Sequence, residues 1–496
     1  ISGNQLLNLV TRRPFPVAEE RYCNGRLVGG SYYDNLQARM NLSGIEESNP
    51  VDYAVTVRRS NIRTFPTYDE SLAGPGDIEF DLFQETAVSP AEPALILHRS
   101  LDGSWLFVQI CNYNGWMPAA DLAVAGDKAG WLAYIRPDNY LVVTGNRVGV
   151  HFSPGQGAPE LIELTMGARV PLAGVDMDYG GGYTVELPVR GANGEMLVET
   201  ALIPAGSDVS VGYMPYTRAN IIRQAFKILG ERYGWGGMFN ARDCSAFVMD
   251  VYKSFGLMLP RNGDEQERSA GKTVTFAGAG TGERYRLVSS LLPGASLHTP
   301  THEMLYLGEH NGRHYVIHDM TSYGGVNPDG SLSKVVLNQV VVTDLSLTRR
   351  NGMTYIDSLT GGKQIEPDRK PAGLPVNYNV SVYVNGSPVS FPDQQPYLDT
   401  SANRVYVPLR FVSEALGAAV GWVQAEQKIV INKGDTLIML HSGSREVYVD
   451  GRIYTLDAAV KLVNDRNMVP LRFVSEALGA SVEWTANDSG GRVDIK

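Results

Sequence analysis

The sequence predicts a multidomain α+β protein, and three observations carry that prediction. The chain has 496 residues, which is too long for a single hydrophobic core. Short alternating strands dominate residues 51–207, whereas an apolar-striped helix followed by strands lies between residues 243 and 318. Near the C-terminus, residues 407–418 recur letter for letter as residues 469–480. We therefore expect small barrels, then a mixed helix-and-strand domain, then a repeat domain.

Changes in these patterns set the predicted boundaries. The Asp102-Gly-Ser-Trp105 turn and the Gly115-Trp116 strand ending favour a strongly bent barrel. The predicted domains are an N-terminal packing segment (1–50), a first small barrel (51–125), a second small barrel (126–207), the helix-and-strand domain (208–360), a linker rich in Gly, Pro and Lys (361–377) and the two-repeat α+β domain (378–496).

Composition excludes several classes of partner. The net charge is −10 and no run of Lys or Arg is present, which argues against nucleic acid and anionic membranes. No apolar run reaches 18 residues, so we expect no membrane span. Three cysteines do not make a disulfide framework. Whether Cys23 and Cys111 form a disulfide is left undecided by the sequence. Because the chain opens with Ile-Ser-Gly, we expect a secreted or wall-associated protein whose signal peptide was removed or left out.

Cys244 is the candidate nucleophile. Asp243 is a good N-cap, so the cysteine falls in the first turn of a helix, where the dipole is expected to lower the thiol pKa. The apolar face of this helix consists of Phe247, Val248, Val251, Tyr252 and Phe255. The alternative is a buried, inert cysteine. The glycine-rich Tyr233–Gly237 approach and the histidines downstream favour the nucleophile.

Five of the eight histidines lie between residues 298 and 318. A metal cluster is an alternative, but neither HExxH nor CxxC spacing occurs, so no metal or cofactor is expected. A three-residue hairpin loop at Glu309–Asn311 would place His302 opposite His318. His302 is then the general base, His318 its orienting partner and His314, opposite Tyr306, a surface residue. Cysteine, histidine and a polar residue, in that order, are typical of a papain-like thiol peptidase.

These residues resemble the NlpC family of cell-wall cysteine peptidases. The matching motifs span roughly residues 215–325 and are Tyr233-x-Trp-Gly-Gly, Asp-Cys244-Ser-x-Phe-Val, Leu259-Pro-Arg261 with Gln266, His302-x-x-Leu/Met-Tyr-Leu-Gly and Ile317-His318. The resemblance implies cleavage of the γ-D-glutamyl–diamino acid bond in peptidoglycan stem peptides. It assigns Tyr233 and the Cys244 N–H to the oxyanion, and Asp243, Ser245 and Arg261 to substrate binding. The chain departs from the family at Asn262 and Gly263, where Asp and Ser or Ala are common.

Residues 51–207 resemble bacterial SH3-like domains. In related enzymes a glutamate and a tyrosine of the first barrel bind the free amine of the N-terminal L-alanine. By local pattern that resemblance assigns Glu92 and Tyr113, because an ammonium prefers a carboxylate partner. The alternative is a surface carboxylate in a turn and a structural aromatic residue.

The C-terminal repeat resembles the copper amine oxidase N-terminal-like domain. Phe411, Ala415 and Leu416 are expected to form the apolar face of its helix. The tail contains a single histidine, His441, so a multi-histidine copper site cannot form within it. A wall-binding or spacing role and a purely structural role both remain open.

Three functions compete. The first is a γ-D-glutamyl–diamino acid endopeptidase acting on stem peptides with a free L-alanine amine. The second is a general wall-lytic endopeptidase or amidase acting on intact peptidoglycan. The third is a non-catalytic wall-binding scaffold, which the intact set of Cys244, His302, His318 and Tyr233 argues against.

Overall fold

The computed structural model describes residues 1–152, 161–176, 182–365, 376–377, 380–391, 394–399, 404–423, 428–434, 436–456, 458–463, 466–487 and 490–496. The chain divides into two compact units. The first contains residues 1–171, 186–201 and 208–366, and the second contains residues 172–185, 202–207 and 367–496. Among the described residues, no helix is both long enough and apolar enough to cross a bilayer.

The N-terminal segment packs onto the first β region of the first unit. Its first helix begins at a capping box, in which the Ser2 hydroxyl accepts from the Gln5 N–H and the Gln5 side chain accepts from the Ser2 N–H. Leu6 and Leu36 are buried in one cluster with Trp116. The elements are α1 (Gly3–Val10), β1 (Tyr22–Cys23), β2 (Arg26–Leu27), α2 (Gly30–Arg39) and a 3₁₀ turn (Leu42–Gly44).

The first β region is one antiparallel sheet with strand order β5-β4-β8-β7-β6-β3-β9. Its strands are β3 (Asp52–Thr56), β4 (Ser60–Arg63), β5 (Gln84–Val88), β6 (Pro93–Arg99), β7 (Trp105–Gln109), β8 (Asn114–Pro118) and β9 (Leu122–Val124). The predicted turn at Asp102 is present: its carboxylate accepts from the Ser104 N–H at 3.0 Å, and Gly103 supplies φ +71°.

The second β region contributes a helix and several strands to the same unit. Within that unit β10 pairs with β16 and with the start of β13, and β11 pairs with β12. The elements are α3 (Lys128–Ile135), β10 (Tyr140–Val143), β11 (Arg147–Phe152), β12 (Leu161–Thr165), β13 (Arg169–Asp176), β14 (Gly182–Arg190), β15 (Met196–Ile203) and β16 (Val209–Val211). A second SH3-like barrel stays a prediction.

The helix-and-strand domain is built on a six-stranded sheet of order β17-β22-β18-β19-β20-β21. The four predicted apolar residues within α5 and Phe255, which follows the helix, are buried and pack in one cluster with Leu305 and Ile317 of the sheet. The elements are α4 (Arg218–Phe226), a 3₁₀ segment (Trp235–Asn240), α5 (Cys244–Lys253), α6 (Gly263–Glu267), β17 (Lys272–Thr275), α7 (Thr281–Ser289), β18 (Ser296–Thr299), β19 (His302–His310), β20 (Arg313–Val326), β21 (Leu332–Asp344), α8 (Tyr355–Ser358) and β22 (Gly361–Gln364).

The β19–β20 hairpin differs from the prediction in its turn. His310 pairs with Arg313, so the loop has the two residues Asn311 and Gly312, both at positive φ (51° and 74°). A register shift between Tyr306 and Gly308 then places Val316 opposite Tyr306 and His314 opposite Glu309, so the predicted position of His314 opposite Tyr306 was wrong. The predicted three-residue loop was wrong because Asn-Gly is itself a favoured two-residue turn.

In the second unit, residues 172–176 and 182–185 form the paired ends of β13 and β14, and the described residues of the tail form three sheets. The tail elements are β23 (Val376–Asn377), β24 (Val380–Val384), β25 (Ser387–Pro388), β26 (Tyr397–Asp399), β27 (Arg404–Pro408), α9 (Leu409–Ala415), β28 (Ala419–Val423), β29 (Lys428–Lys433), β30 (Thr436–His441), β31 (Glu446–Val449), β32 (Arg452–Thr455), β33 (Lys461–Val463), β34 (Arg466–Pro470), α10 (Leu471–Ala477), β35 (Val482–Asn487) and β36 (Gly490–Ile495).

The predicted helix face in the tail needs correction. Leu409 and Val412 are fully buried, Phe411 and Leu416 are partly buried, and Ala415 is exposed. The helix begins directly after β27, which turns the Leu409–Val412 edge toward the core. Of the predicted linker, Gly361–Gln364 form β22 and pair with β17 and β18, whereas residues 366–375 lie outside the described residues.

Candidate active site

Cys244 begins helix α5, as predicted, and Asp243 is its N-cap. One carboxylate oxygen of Asp243 accepts from the Ala246 N–H at 3.0 Å, which closes the first turn. The other oxygen accepts from the Gly236 N–H at 3.0 Å. The same carboxylate therefore fixes both the helix start and the glycine-rich segment that precedes it.

The glycines of that segment allow a backbone conformation and a close contact that larger residues would prevent. Gly236 and Gly237 have φ values of +58° and +90°, which L side chains rarely adopt. A Cβ on Gly237 would lie 2.3 Å from the Cβ of Ala87 in β5. The Gly236 carbonyl also accepts from the Gln84 amide at 2.8 Å. The two glycines thus let this backbone lie against the first β region.

His302 and His318 form the predicted pair. Nε2 of His302 and Nδ1 of His318 are 2.7 Å apart, and Nε2 of His318 lies 2.9 Å from the Thr343 hydroxyl on β21. His318 is fully buried, whereas His302 is half-buried. Nδ1 of His302 is the ring nitrogen that this chain of hydrogen bonds leaves for the thiol. Sequence reasoning missed Thr343, because no motif spacing points to it.

His302 is brought next to Cys244 by the backbone of β19. Burial and the Asp243 charge raise the pKa of Cys244, and the backbone of Glu303, the residue after His302, lowers it, which places that backbone near the sulfur. The Tyr355 ring stands 5.8 Å from the His302 ring and 5.3 Å from the His318 ring, between centroids. Within the described part of the chain, Cys244 and His302 are not hydrogen-bonded to each other. Catalytic hydrogen bonds of this kind commonly shorten only with substrate in place.

The remaining histidines do not join this pair. His314, predicted to be a surface residue, is buried, and its Nδ1 lies 2.7 Å from the Tyr306 hydroxyl. His298 is buried with its Nε2 2.8 Å from the Ser296 hydroxyl. Cys23 and Cys111 are both free, so the open disulfide pairing is not formed.

The environment of the thiol overturns the expected direction of its pKa. Burial, and then the negative charge of Asp243, raise the pKa of Cys244 above its ordinary value. Burial, and then the Arg349 charge, lower the pKa of His302 to about 3. The helix position alone predicted a lower thiol pKa, but loss of solvation outweighs it. The resting site therefore holds a neutral thiol and a neutral imidazole.

Tyr233 is positioned to act as a hydrogen-bond donor. The residue is buried, and its backbone N–H donates to the Asn338 carbonyl at 2.9 Å. Burial raises the pKa of its hydroxyl, and the nearby Cys244 raises it further. The phenol consequently stays protonated at physiological pH, as an oxyanion donor must.

Arg261 joins the site to the first β region. Its guanidinium donates to Asp243 at 2.5 Å, to the Ser245 hydroxyl at 2.9 Å and to the Thr86 hydroxyl at 2.7 Å. Burial opposes ionisation of Asp243, but the Arg261 charge and hydrogen bonds lower its pKa. Arg261 is only 3% exposed. The three residues predicted to bind substrate therefore bond to one another, and Arg261 acts as a positioning residue.

Glu92 does not pair with Tyr113. Its carboxylate pairs with Lys253, which is nine residues after Cys244 and hence about 13 Å along α5. The Tyr113 hydroxyl instead donates to the Glu85 carboxylate at 2.6 Å. Glu85 precedes Thr86, the residue that Arg261 contacts. Glu85 and not Glu92 is the carboxylate beside Tyr113; the pattern match failed because strand pairing, not local sequence, brings them together.

Two buried carboxyls were also missed. Glu303 and Asp319 follow His302 and His318 in the sequence. They are 1% and 0% exposed, and their side-chain oxygens have no hydrogen-bond partner among the described residues. Burial, and then Asp243, raise the pKa of Glu303 well above its usual range and that of Asp319 to about 9. A Cβ on Gly263 would lie 3.2 Å from Glu303 Oε2. Both acids are neutral at pH 7. Gly263, where the NlpC family commonly has Ser or Ala, leaves room for the Glu303 side chain.

Three family models match the chain in the predicted order. Residues 66–118 match the SH3 domain of SH3b1 type, and residues 230–343 match the NlpC/P60 family. Residues 383–490 match the copper amine oxidase N-terminal domain. The second match contains Cys244, His302 and His318. The resemblance stated from the motifs is confirmed for all three parts.

One solved structure shares the fold over most of the chain's length. An NlpC/P60 endopeptidase from Photobacterium damselae subsp. piscicida superposes with a TM-score of 0.59 at 19% identity, covering 73% of this chain and 83% of that one. An NlpC/P60 family protein from Bacillus cereus ATCC 10987 gives a TM-score of 0.39 at 20% identity, covering 57% and 82%.

A curated relative matches a smaller part of the chain. It is named a protease inhibitor, from Brevibacillus choshinensis, and is 36% identical over 107 residues. The match covers 21% of this chain and 32% of that protein, so the chain spans about a third of the relative's length.

The neutral thiol predicts the pH dependence of alkylation. In a Cys111→Ser background, the rate of Cys244 with iodoacetamide should rise about tenfold per pH unit from pH 7 to 9, because the thiolate fraction rises tenfold per unit below the pKa. Mass spectrometry of the modified peptide measures the rate, and Cys244→Ala in the same background reports any contribution from Cys23. A plateau near neutral pH would indicate a thiolate–imidazolium pair instead.

The buried Asp243–Arg261 pair predicts a large stability loss on truncation. Arg261→Ala leaves Asp243 charged and buried, which should cost about 3–5 kcal/mol in the free energy of unfolding. The shift in the urea midpoint, followed by tryptophan fluorescence, measures this loss. Arg268→Ala is the matched control: its pair with Asp264 is exposed and contributes about 0–0.5 kcal/mol. Equal shifts for the two variants would contradict a supporting role for Arg261.

Asp319 predicts the pH dependence of stability. Its folded pKa is about 9 and its unfolded pKa about 3.9, so between these values the unfolded chain has lost a proton that the folded chain retains. Stability therefore falls as pH rises through this window. Asp319→Asn should gain stability relative to the wild type as pH rises from 4 to 8, measured by thermal unfolding. Asp329→Asn, at an exposed position, should show no such gain. A stability difference between Asp319→Asn and the wild type that does not change with pH would show that Asp319 is ionised in the folded protein.

Proposed function

We propose that this protein is a cysteine endopeptidase that cleaves the γ-D-glutamyl–diamino acid bond of peptidoglycan stem peptides with a free N-terminal L-alanine. The observation that carries the proposal is the 2.7 Å hydrogen bond between His302 and His318 beside Cys244. The carboxylate of Glu85, bonded to Tyr113, supports the choice of substrate end. The proposed chemistry needs no metal or cofactor.

The first step is attack of the Cys244 sulfur on the γ-carbonyl carbon of D-glutamate. Because the resting thiol is neutral, its proton must move to Nδ1 of His302 as the C–S bond forms. His318 holds the imidazole through Nε2 of His302, and Thr343 in turn holds His318. These contacts keep Nδ1 directed at the sulfur throughout the transfer.

The carbonyl oxygen becomes an oxyanion in the tetrahedral intermediate. The Tyr233 hydroxyl and the Cys244 N–H at the start of α5 donate to it. When the intermediate collapses, the C–N bond breaks, and His302 returns its proton to the amine of the departing diamino acid. A water molecule, deprotonated by His302, then hydrolyses the thioester and restores the thiol.

The other end of the substrate is proposed to bind at Glu85 and Tyr113. A free L-alanine carries an ammonium, which gains charge-assisted hydrogen bonds from a carboxylate that is largely shielded from water. The Glu85 side chain is 9% exposed. Thr86, next in the strand, is joined through Arg261 to Asp243, so the two ends of the proposed groove are held to each other by direct bonds.

The domains on either side are proposed to serve the same substrate outside the cell. The first SH3-like domain supplies Glu85 and Tyr113. The boundary 51–125 is retained as a proposed domain limit, whereas the proposed limit 208–360 is extended to 364 to include β22. The copper amine oxidase N-terminal-like domain is proposed to bind or space the enzyme at the cell wall, without copper chemistry.

Hydrolysis of defined peptides tests the activity. The wild type should release L-Ala-γ-D-Glu from L-Ala-γ-D-Glu-diamino acid peptides, detected by mass spectrometry, and Cys244→Ala should abolish the release. N-acetylated peptides and intact sacculi should be cleaved at least tenfold more slowly, since a charged hydrogen bond contributes about 1.5–3 kcal/mol. Equal rates on sacculi would favour the general wall-lytic activity, and no cleavage of any substrate would favour the scaffold.

Two matched carboxylate variants test the amine site. Glu85→Gln should raise the KM for free-amine peptides about 10–100-fold with a smaller effect on kcat, because the ammonium loses a charged partner. Glu92→Gln removes a carboxylate that pairs with Lys253 and should leave KM unchanged. A raised KM for Glu92→Gln with an unchanged KM for Glu85→Gln would instead indicate that Glu92 binds the amine.

A further inference from the structure

A positively charged side chain of the protein itself contacts the Glu85–Tyr113 pair. Arg13, in the N-terminal segment, forms an ion pair with Glu85 and donates a hydrogen bond to the Tyr113 hydroxyl. Its guanidinium carbon also stands 5.3 Å from the centroid of the Tyr113 ring. A guanidinium from the protein's own chain thus makes the contacts that an incoming ammonium would make.

The contacts of the guanidinium and of a substrate ammonium exclude each other. Glu85 Oε1 accepts from Arg13 and from the Thr64 hydroxyl, and Oε2 accepts from Tyr113. Both acceptor positions of Oε1 are therefore engaged while Arg13 is bound. An ammonium can bind at that oxygen only when the guanidinium leaves.

Arg13 is held less firmly than the other arginine of this region. Arg63 is 7% exposed and bonds to Asp81, Gln84 and two backbone carbonyls. The Arg13 side chain is 34% exposed, and within the described residues it bonds only to Glu85 and Tyr113. Arg13 also follows the last turn of α1 and belongs to no helix or strand. Its side chain can swing out without breaking regular structure.

We propose that Arg13 is an internal competitor for the amine subsite and thereby a specificity-determining residue. This inference rests on the proposed function, because it assumes that Glu85 and Tyr113 bind the L-alanine ammonium. Stem peptides with a free ammonium displace the guanidinium and gain the same charged contacts. Stems still linked to glycan have no ammonium to exchange, so Arg13 stays on Glu85 and the subsite stays closed to them.

Population arithmetic gives the size of the effect. The apparent dissociation constant equals the intrinsic one divided by the fraction of molecules with an open site. If Arg13 closes the site in about four of five molecules, its removal lowers the KM of free-amine peptides about fivefold. The value of kcat should not change, since Arg13 does not contact the reacting atoms.

Kinetics of Arg13→Ala on free-amine peptides test the proposal. A KM about fivefold lower at unchanged kcat is expected, with Arg13→Lys intermediate because it keeps the charge but not the planar fork. Arg12→Ala, the exposed neighbour, is the matched control and should behave as the wild type. A KM that is unchanged or higher in Arg13→Ala would overturn the proposal, the higher value meaning that Arg13 positions Glu85.

A soluble guanidinium provides a second measurement on the same variants. Methylguanidinium should inhibit Arg13→Ala competitively against the peptide, and the wild type about fivefold more weakly, since in the wild type it must also displace Arg13. Equal inhibition constants would contradict the competition. Failure of the proposed function looks different: the wild type would then not cleave the peptides, or Glu85→Gln would leave their KM unchanged.

Discussion

The active site depends on the carboxylate of Asp243. It closes the first turn of the helix that begins at Cys244, accepts from the Gly236 backbone and forms a buried ion pair with Arg261. A buried carboxylate is costly unless its charge and its lone pairs are all satisfied, and here four donors satisfy them. Through Arg261 and Thr86 the same network reaches the first SH3-like domain, so the nucleophile and the proposed amine subsite share one support.

The charge of Asp243 also shapes the chemistry. A negative group next to a buried thiol disfavours the thiolate, and the same charge helps keep Glu303 and Asp319 protonated. The site thus keeps a single strong charge pair and holds its other ionisable groups neutral. A neutral thiol and imidazole need a proton transfer that accompanies attack, which makes the orientation of His302 by His318 and Thr343 more important than the resting thiolate fraction.

The tail shows how a duplicated sequence completes its own core. The adjacent strands β27 and β34, inside a five-stranded sheet, pair so that Val407 lies opposite Val469, its counterpart in the second copy. Tyr406 then faces Pro470 and Pro408 faces Met468, as a local two-fold axis requires. Trp422 and Trp484 are each 36% exposed, so the two copies also agree at the surface. One copy could not bury both faces of its strands, which explains why two occur together.

Much of this protein could be foreseen from its residues. The cap at Asp243, the buried face of α5, the cysteine–histidine–histidine set and the order of the three matched domains follow from local pattern, because caps, periodicity and motif spacing act over a few residues. The thiol pKa, the burial of His314 and the partner of Tyr113 could not, because each depends on strands and charges far apart in the chain. Glu85 and Arg13 meet across 72 residues, and neither carries a motif. Local sequence thus identified the reacting groups, whereas folding chose their neighbours, since desolvation and charge pairing act between residues that only packing brings together.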